Sequence, residues 1–357
     1  MTTRRHFLAG LTSAVAAPGL GWAAVGNPVA LSAAQTAEGR NLLLGLAAGG
    51  EITFRVPLPA RGHAAAAHPH LAEAVAIARR PGTFAKVIDC TSGAVLKILT
   101  APAGRHFYGH GAFSADGALL FTTENAFETG EGRIGVWDKK LNYQRIDEFS
   151  SGGIGPHEIL RLPSGALAVA NGGIRTHPKT GRKKLNLESM RGNVSLFSTA
   201  GTLLDCGEAP DSMRLNSPRH IASAPGGTLI CGYQWQGDPH DAPQLVAFYD
   251  GRGTLWEGDL DTRILRRLDG YIGSVCAISD ARFAVSSPRG GRVVTLDATG
   301  TQQQAHRALD VCGISVLSGS SALVTDGYGH VYRLQAQGLE KLRKHPLAFD
   351  NHLVALA

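Results

Sequence analysis

The chain has 357 residues, 45 of them glycine, with 43% hydrophobic content and 35 basic against 29 acidic side chains. That length suits one large core or two ordinary domains, and no segment of the mature chain is long and apolar enough to span a membrane. The net charge of +6 has no dense Lys/Arg run behind it, and the one basic cluster, "RTHPKTGRKK" (175–184), carries no interleaved aromatic residues, which argues against nucleic acid as a partner.

In chain order, the first segment is unlike the rest. "TTRRHFLAGLTSAVAAPGLGWAA" pairs Arg4 with Arg5, follows them with Phe7, Leu8 and a modest apolar stretch, and closes on small residues near Ala23 and Ala24. It resembles a twin-arginine export signal, so residues 1–24 are set aside as removed, 25–40 are expected as a linker, and 41–357 as the folded domain. Such a signal predicts a periplasmic protein, and the pathway that reads it generally exports folded proteins, often with a cofactor already loaded.

From residue 41 onward helical periodicity is nearly absent. Short apolar runs alternate with Gly, Asp, Pro and Ser clusters, and a recurring phrase ends a strand in a turn and starts another: "NVSLFSTAG" then "GTLLDCG", "LVAFYDGRG" then "GTLWEGD". Four strands recurring every 40–60 residues predict β-propeller blades. Aligned on the innermost strand, the units open at "RGHAAAAH", "YGHGAFS", "GPHEILR", "PRHIASA", "IGSVCAI", "VCGISVL" and "DNHLVAL". The fold expected is therefore all-β, a seven-bladed propeller. "NHLVALA" at the C-terminus supplies only an inner strand, so the N-terminal strands at 41–49 and 51–59 must complete that blade and close the ring. The insertion 171–190 is expected as an irregular loop beginning on the face opposite the strand openings.

The aligned positions in these openings are His63, His110, His157, His220, Ser274, Gly313 and His352, spaced 47, 47, 63, 54, 39 and 39 residues apart. Five of seven equivalent positions are histidine, on five consecutive blades. Equivalent positions share a direction, so either all five imidazoles approach the axis or none does. Converging neutral imidazoles are ligands for iron, copper, zinc or nickel. The scarcity of Met and Cys at the openings argues against a dedicated copper(I) site. Metal binding is expected to weaken as the pH falls through the imidazole range near 6.5. Histidines at strand starts also serve as backbone caps or bond one another around a water-filled channel, and that reading stays open. His106, Glu158 and His177 are candidates for a further ligand or supporting group. Arg61, Arg105 and Arg219, just ahead of opening histidines, are candidates for holding an anion, which an anionic metal chelate would satisfy together with the histidines. Arg80, Asn125, Asn171, Gln234, Arg289 and Asp326 are expected at the far ends of the inner strands as turn residues.

The five cysteines, Cys90, Cys206, Cys231, Cys276 and Cys312, show no CxxC spacing and an odd count, and are read as buried thiols with at most one disulfide. No GxSxG, HExxH or phosphate-binding glycine loop is present.

At "RHFYGHGAFSADG", "TTENAFETGEGRIGVWD", "GIGPHEILRLPSGALAVANGGIRTHP" and "GRKKLNLESM" the chain resembles a family of bacterial, twin-arginine-exported, propeller-type proteins of unknown function, often encoded near imelysin-type iron-uptake proteins. The resemblance spans about residues 40–357 and implies a periplasmic location, a link to iron or another transition metal, and imelysin-type proteins as partners. It supplies no reaction. The expected function is binding of a transition metal (iron, otherwise copper or zinc) or its chelate at a histidine-lined channel mouth, in metal acquisition or handling rather than turnover. The alternatives are a metal-dependent hydrolase or oxidoreductase at the same mouth, and a protein-binding scaffold.

Overall fold

The apolar runs sort by their place within each unit. The second strand of a unit is mostly buried, along its whole length at Leu167–Asn171 and Ala322–Asp326, while the fourth is largely exposed, as at Val95–Thr100. A strand covered on both faces reads as an unbroken apolar run, whereas a rim strand does not need one. In the computed structural model, which describes residues 19–238, 240–317 and 320–356, these units form seven four-stranded antiparallel sheets arranged as a β-propeller. The inner strands of blades 1 to 7 are Gly62–Ala67, Arg105–Phe113, Pro156–Arg161, Asn216–Ser223, Ser274–Ser279, Val311–Val316 and Leu347–Ala355.

Blade 7 takes its inner strand from the C-terminal end of the chain and its other three from the N-terminal end. Here the structure corrects the expected boundaries. Ala30–Thr36, inside the stretch expected as linker, is the second strand and pairs with Leu347–Ala355 from Ala30↔Ala355 to Thr36↔Leu347. Asn41–Leu46 and Ile52–Leu58 follow it outward. "ALSAAQT" has small, half-polar residues and so lacks the apolar contrast that marks the other second strands. Arg61 of blade 1 clamps the closure: its Nε and Nη2 donate to the two carboxylate oxygens of the buried Asp350 in blade 7 at 2.7 and 3.1 Å. Residues 1–18 of the expected export signal lie outside the described residues. Just beyond them, Trp22 Nε1 donates to the His68 carbonyl at 2.9 Å and Ala72 N to the Leu20 carbonyl at 2.7 Å.

The core lies between neighbouring blades rather than inside any one sheet. Val75, Ile77 and Val87 of blade 1 pack on Phe107, Leu120 and Trp137 of blade 2, and Ile230, Val246 and Phe248 of blade 4 pack on Phe283, Val285 and Val294 of blade 5. The one α-helix among the described residues, Thr262–Leu268, had no counterpart in the sequence reading. It is capped by the Asp261 side chain and seats Leu265 and Leu268 between blades 4 and 5. Seven residues give too short a periodic signal to separate from a loop.

The insertion 171–190 is irregular as expected, with only two short 3-10 turns, Pro178–Thr180 and Leu187–Ser189. Its face is the reverse of the expectation. The inner strand of blade 3 ends at Arg161, and Leu167–Asn171 is the antiparallel second strand, whose end brings Asn171 opposite Pro156. The insertion therefore leaves on the face where the inner strands begin. The same geometry moves Arg80, Asn125, Asn171, Gln234, Arg289 and Asp326 to that face, because each stands at or just beyond the end of a second strand.

If Ala30–Thr36 is integral to the ring, a chain starting at Asn41 should lose cooperative thermal unfolding, because blade 7 would keep two unpaired edges next to the axis. A chain starting at Asn27 should still melt in one transition. Equal melting of the two truncations by circular dichroism would show that the strand is dispensable.

Candidate metal centre

Side chains of an inner strand normally point into the spaces between blades, not at the axis, because successive side chains alternate between the two sheet faces. Six of the seven inner strands break that rule where the aligned residue stands. Pairing with the second strand shifts register between Gly62 and Ala65, Phe107 and Gly111, Pro156 and Glu158, Pro218 and His220, Val311 and Ile314, and opposite Ser32–Ala34 at Asp350–His352. Each shift is a β-bulge, which turns a side chain off the sheet face. In blade 5 Ser274 pairs regularly with Ser286. A bulge frees carbonyl groups from the ladder, and hydroxyls of the second strands take several up. Thr123 Oγ1 donates to the His110 carbonyl at 3.1 Å, Ser32 Oγ to that of His352 at 3.3 Å, and Ser286 Oγ to that of Cys312.

All five imidazoles reach the axis and form a closed ring of contacts. Successive centroids from His63 through His110, His157 and His220 to His352 and back are 5.0, 5.0, 4.9, 4.8 and 4.8 Å apart. His220 and His352 meet although blades 5 and 6 stand between them, because Ser274 and Gly313 place no bulky side chain there. A Cβ on Gly313 would lie 2.9 Å from Leu353 Cγ, next to His352. Gly109, at φ +103°, has a similar duty: a Cβ there would come within contact of the His63 ring.

Ring nitrogens of His63, His110 and His352 lie within 4.8 Å of one another, and so do those of His110, His157 and His220. Nitrogens bonded to one ion at about 2.0–2.1 Å stand about 3.3–3.6 Å apart, so either triad would draw in by up to about 1.5 Å to hold it. Four buried ring nitrogens have no hydrogen-bond partner among the described residues: His63 Nδ1, His110 Nε2, His157 Nδ1 and His352 Nε2. Glu158 sits beside the cluster. Its Oε2 accepts from Ile221 N at 2.9 Å and from His220 Nδ1 at 3.2 Å, and its Oε1 is 3.7 Å from His110 Nδ1. Holding the proton of His220 on Nδ1 leaves Nε2 with its lone pair.

Burial, reinforced by the crowding of the imidazoles on one another and by Arg79 and Arg219, holds all five imidazoles neutral. His220 and His352 are pushed down to about 3, and His63, His110 and His157 well below the ordinary value. Protons would therefore compete with a metal for these nitrogens only well below 6.5. Burial raises Glu158 to about 7. A channel of about 450 Å³ runs from His110, Glu158, His220 and His352 along the inner strands, past Ala66, Val275 and Ile314, to Pro69 and Pro163 at their far ends.

The other sequence candidates are placed elsewhere or are already engaged. His106 is buried with both ring nitrogens used, Nδ1 on the Phe107 carbonyl at 2.9 Å and Nε2 on Asn125 Nδ2 at 3.1 Å. Arg105 is held by Glu148 and Glu124, and Arg61 by Asp350. His177, on the insertion, lies 3.3 Å from Glu128 and accepts from Lys179 N. Arg219 is buried at 8% exposure, and burial with the nearby Arg80 guanidinium pushes it down to about 10. The sequence reading missed Arg80 and Tyr108 as its neighbours. All five cysteines are free, and burial raises each thiol.

The depressed imidazoles fix the acid behaviour of the metal-free protein. Between pH 6.5 and about 3 the unfolded chain binds protons that the folded cluster refuses, so stability falls as the pH falls, by about 1.4 kcal/mol per pH unit for each fully shifted histidine. Glu158, shifted upward, opposes this with one proton between about 4.5 and 7, and the five histidines outweigh it. Denaturant unfolding of metal-free protein at pH 7.5 and 5.5 should show a loss of several kcal/mol, and His220→Gln should reduce the loss. A flat profile would mean that the imidazoles are hydrated.

Comparison with known proteins agrees with the architecture. No curated protein matches the chain. Among solved structures, the computationally designed Ika8 protein superposes with a TM-score of 0.54 at 14% identity, covering 88% of this chain and 84% of that one. Streptogramin B lyase superposes with a TM-score of 0.55 at 12% identity, covering 90% and 94%. At such identities the likeness concerns the fold alone. The sequence pattern of one family matches residues 56–356, from the outer strand of blade 7 around the ring to the closing inner strand, and the chain thus belongs to the family described as Protein of unknown function (DUF1513).

Proposed function

We propose that this protein binds a first-row transition metal on the five-histidine cluster, iron by preference and otherwise copper or zinc, and that it handles the metal or its chelate rather than turning over a substrate. The observation that carries this reading is the set of four buried ring nitrogens with no partner. A buried, unsatisfied polar atom costs about 1–3 kcal/mol, and packing has no use for four of them facing one another. A metal ion satisfies several at once. Neutral imidazoles with an adjoining carboxylate, His220 and Glu158, suit iron(II), copper(II) and zinc(II). The preference for iron rests on the family resemblance, which also favours the periplasm, twin-arginine export and imelysin-type partners. A scaffold with incidental histidines leaves the unpartnered nitrogens unexplained. The enzymatic reading has one observation behind it: Glu158, raised to about 7 beside the cluster, has the proton affinity of a general acid or base at neutral pH.

Metal-free protein should gain about 2.7 kcal/mol of stability at a hundredfold excess of free metal over Kd, read as a rise in Tm with anaerobic iron(II), copper(II) or zinc(II). The gain should persist at pH 5.5. His110→Ala with His157→Ala should abolish it, since each triad loses at least one member. His345→Ala should not, because that ring is engaged with the Gly50 carbonyl at 2.8 Å outside the cluster. A double variant that binds all three metals as tightly as the parent would refute the site.

A further inference from the structure

The face on which the inner strands begin carries a second group of unsatisfied polar side chains. Arg219 is buried at 8% exposure, its Nε has no partner, and its guanidinium makes no hydrogen bond or ion pair among the described residues. The Tyr108 hydroxyl, on a side chain 3% exposed, has no partner within hydrogen-bond distance among the described residues, with Thr176 of the insertion its polar neighbour. Both adjoin one pair of glycines at the top of blade 3, where Gly172 N donates to the Gly155 carbonyl at 2.8 Å. A Cβ on Gly172 would lie 3.3 Å from Arg219 Nη1, and one on Gly155 would lie 3.5 Å from the Tyr108 hydroxyl. Arg80 comes in from blade 1 with a single long contact, 3.4 Å to Thr176 Oγ1 on the insertion. Asn125 holds the same residue through its carbonyl at 3.3 Å.

The titratable groups around Arg219 and Arg80 are Arg79, Arg182 and the neutral phenols of Tyr108 and Tyr271, with no carboxylate among them. Arg61, by contrast, is paired with the buried Asp350. A buried guanidinium without a counter-charge is costly, and no carboxylate among the described residues offsets this one. Its planar fork matches the paired oxygens of a carboxylate or phosphate.

We propose that Arg219, Arg80 and the Tyr108 hydroxyl form a binding site for a small oxyanion of the carboxylate or phosphate class, under the insertion and next to the histidine cluster. Resting on the metal reading, the anion is the ligand part of a metal chelate, with the arginines holding its oxygens and the histidines its metal. Arg219 directly precedes His220, and its charge also reaches His157, so the two sites adjoin.

The test uses protein dialysed against chelator, so that it stands apart from metal binding. Citrate or phosphate, against a chloride control of equal ionic strength, should raise Tm, and the larger shift identifies which oxyanion class the site prefers. Affinity measured by calorimetry should fall by about tenfold or more in Arg219→Gln and more modestly in Tyr108→Phe. The His110→Ala, His157→Ala double variant should keep it, even if metal binding fails altogether. Without anion, Arg219→Gln should melt no lower than the parent, because it removes an uncompensated charge, whereas a purely structural arginine would leave the variant less stable. Absence of any shift with both anions, or undiminished binding in Arg219→Gln, would overturn the proposal.

Discussion

Five imidazoles on the axis of a ring of sheets must be turned off the faces of their own strands, and the rest of the structure is arranged around that requirement. A bulge interrupts each histidine-bearing inner strand at the histidine. Small residues stand wherever the turned rings need room, at Gly109 beside His63 and at Gly313 beside the inner strand of His352. Hydroxyls on the second strands take up carbonyls that the bulges release. The two blades whose inner strands carry no histidine, 5 and 6, contribute Ser274 and Gly313, and through that gap the ring of imidazoles closes on itself. Each device lowers the cost of a polar cluster in a buried place, yet none supplies partners for the four ring nitrogens left over.

The cluster divides the axis. On one side a channel lined by small and apolar side chains interspersed with Ser223, Ser274 and Ser315 runs to the far ends of the inner strands. On the other lie Arg219, Arg80 and Tyr108 beneath the insertion, with Arg289 stacked over the Tyr271 ring at 4.6 Å. An electropositive, partly roofed side facing a mostly apolar channel gives the molecule a polarity along its axis. A metal entering with anionic ligands would meet the arginines first, and burial keeps the imidazoles neutral and ready to take it.

Much of this was legible in the chain. Turn-bounded apolar runs at blade spacing gave the seven units, and histidines recurring at one point of successive units gave the cluster. Glu158 was visible because it follows His157. What escaped notice has physical reasons. Ala30–Thr36 is too short of large apolar residues to announce a strand, although it pairs on both edges. The face of the insertion was misplaced because the short inner strand Pro156–Arg161 and the second strand Leu167–Asn171 read as one. The same misreading put Arg80 and Asn125 at the wrong end. Alternation alone could not say whether the histidines turned inward or outward, since that depended on the bulges. The glycine or proline before each of His63, His110 and His157 ("RGH", "YGH", "GPH") was the available signal. Arg61, Arg105 and Arg219 look alike in sequence, and only their partners separate them. Asp350 and Glu148 neutralise the first two, and no carboxylate among the described residues neutralises the third.

The central claim is that the buried imidazoles exist to hold a metal. The most direct measurement is an anomalous-difference map from crystals of protein recovered from its native compartment without added metal, with data on either side of the iron, copper and zinc absorption edges. The account predicts a peak on the axis within bonding distance of ring nitrogens from at least three of His63, His110, His157, His220 and His352. An axis without a peak at any edge, in crystals also soaked with all three metals, would contradict it.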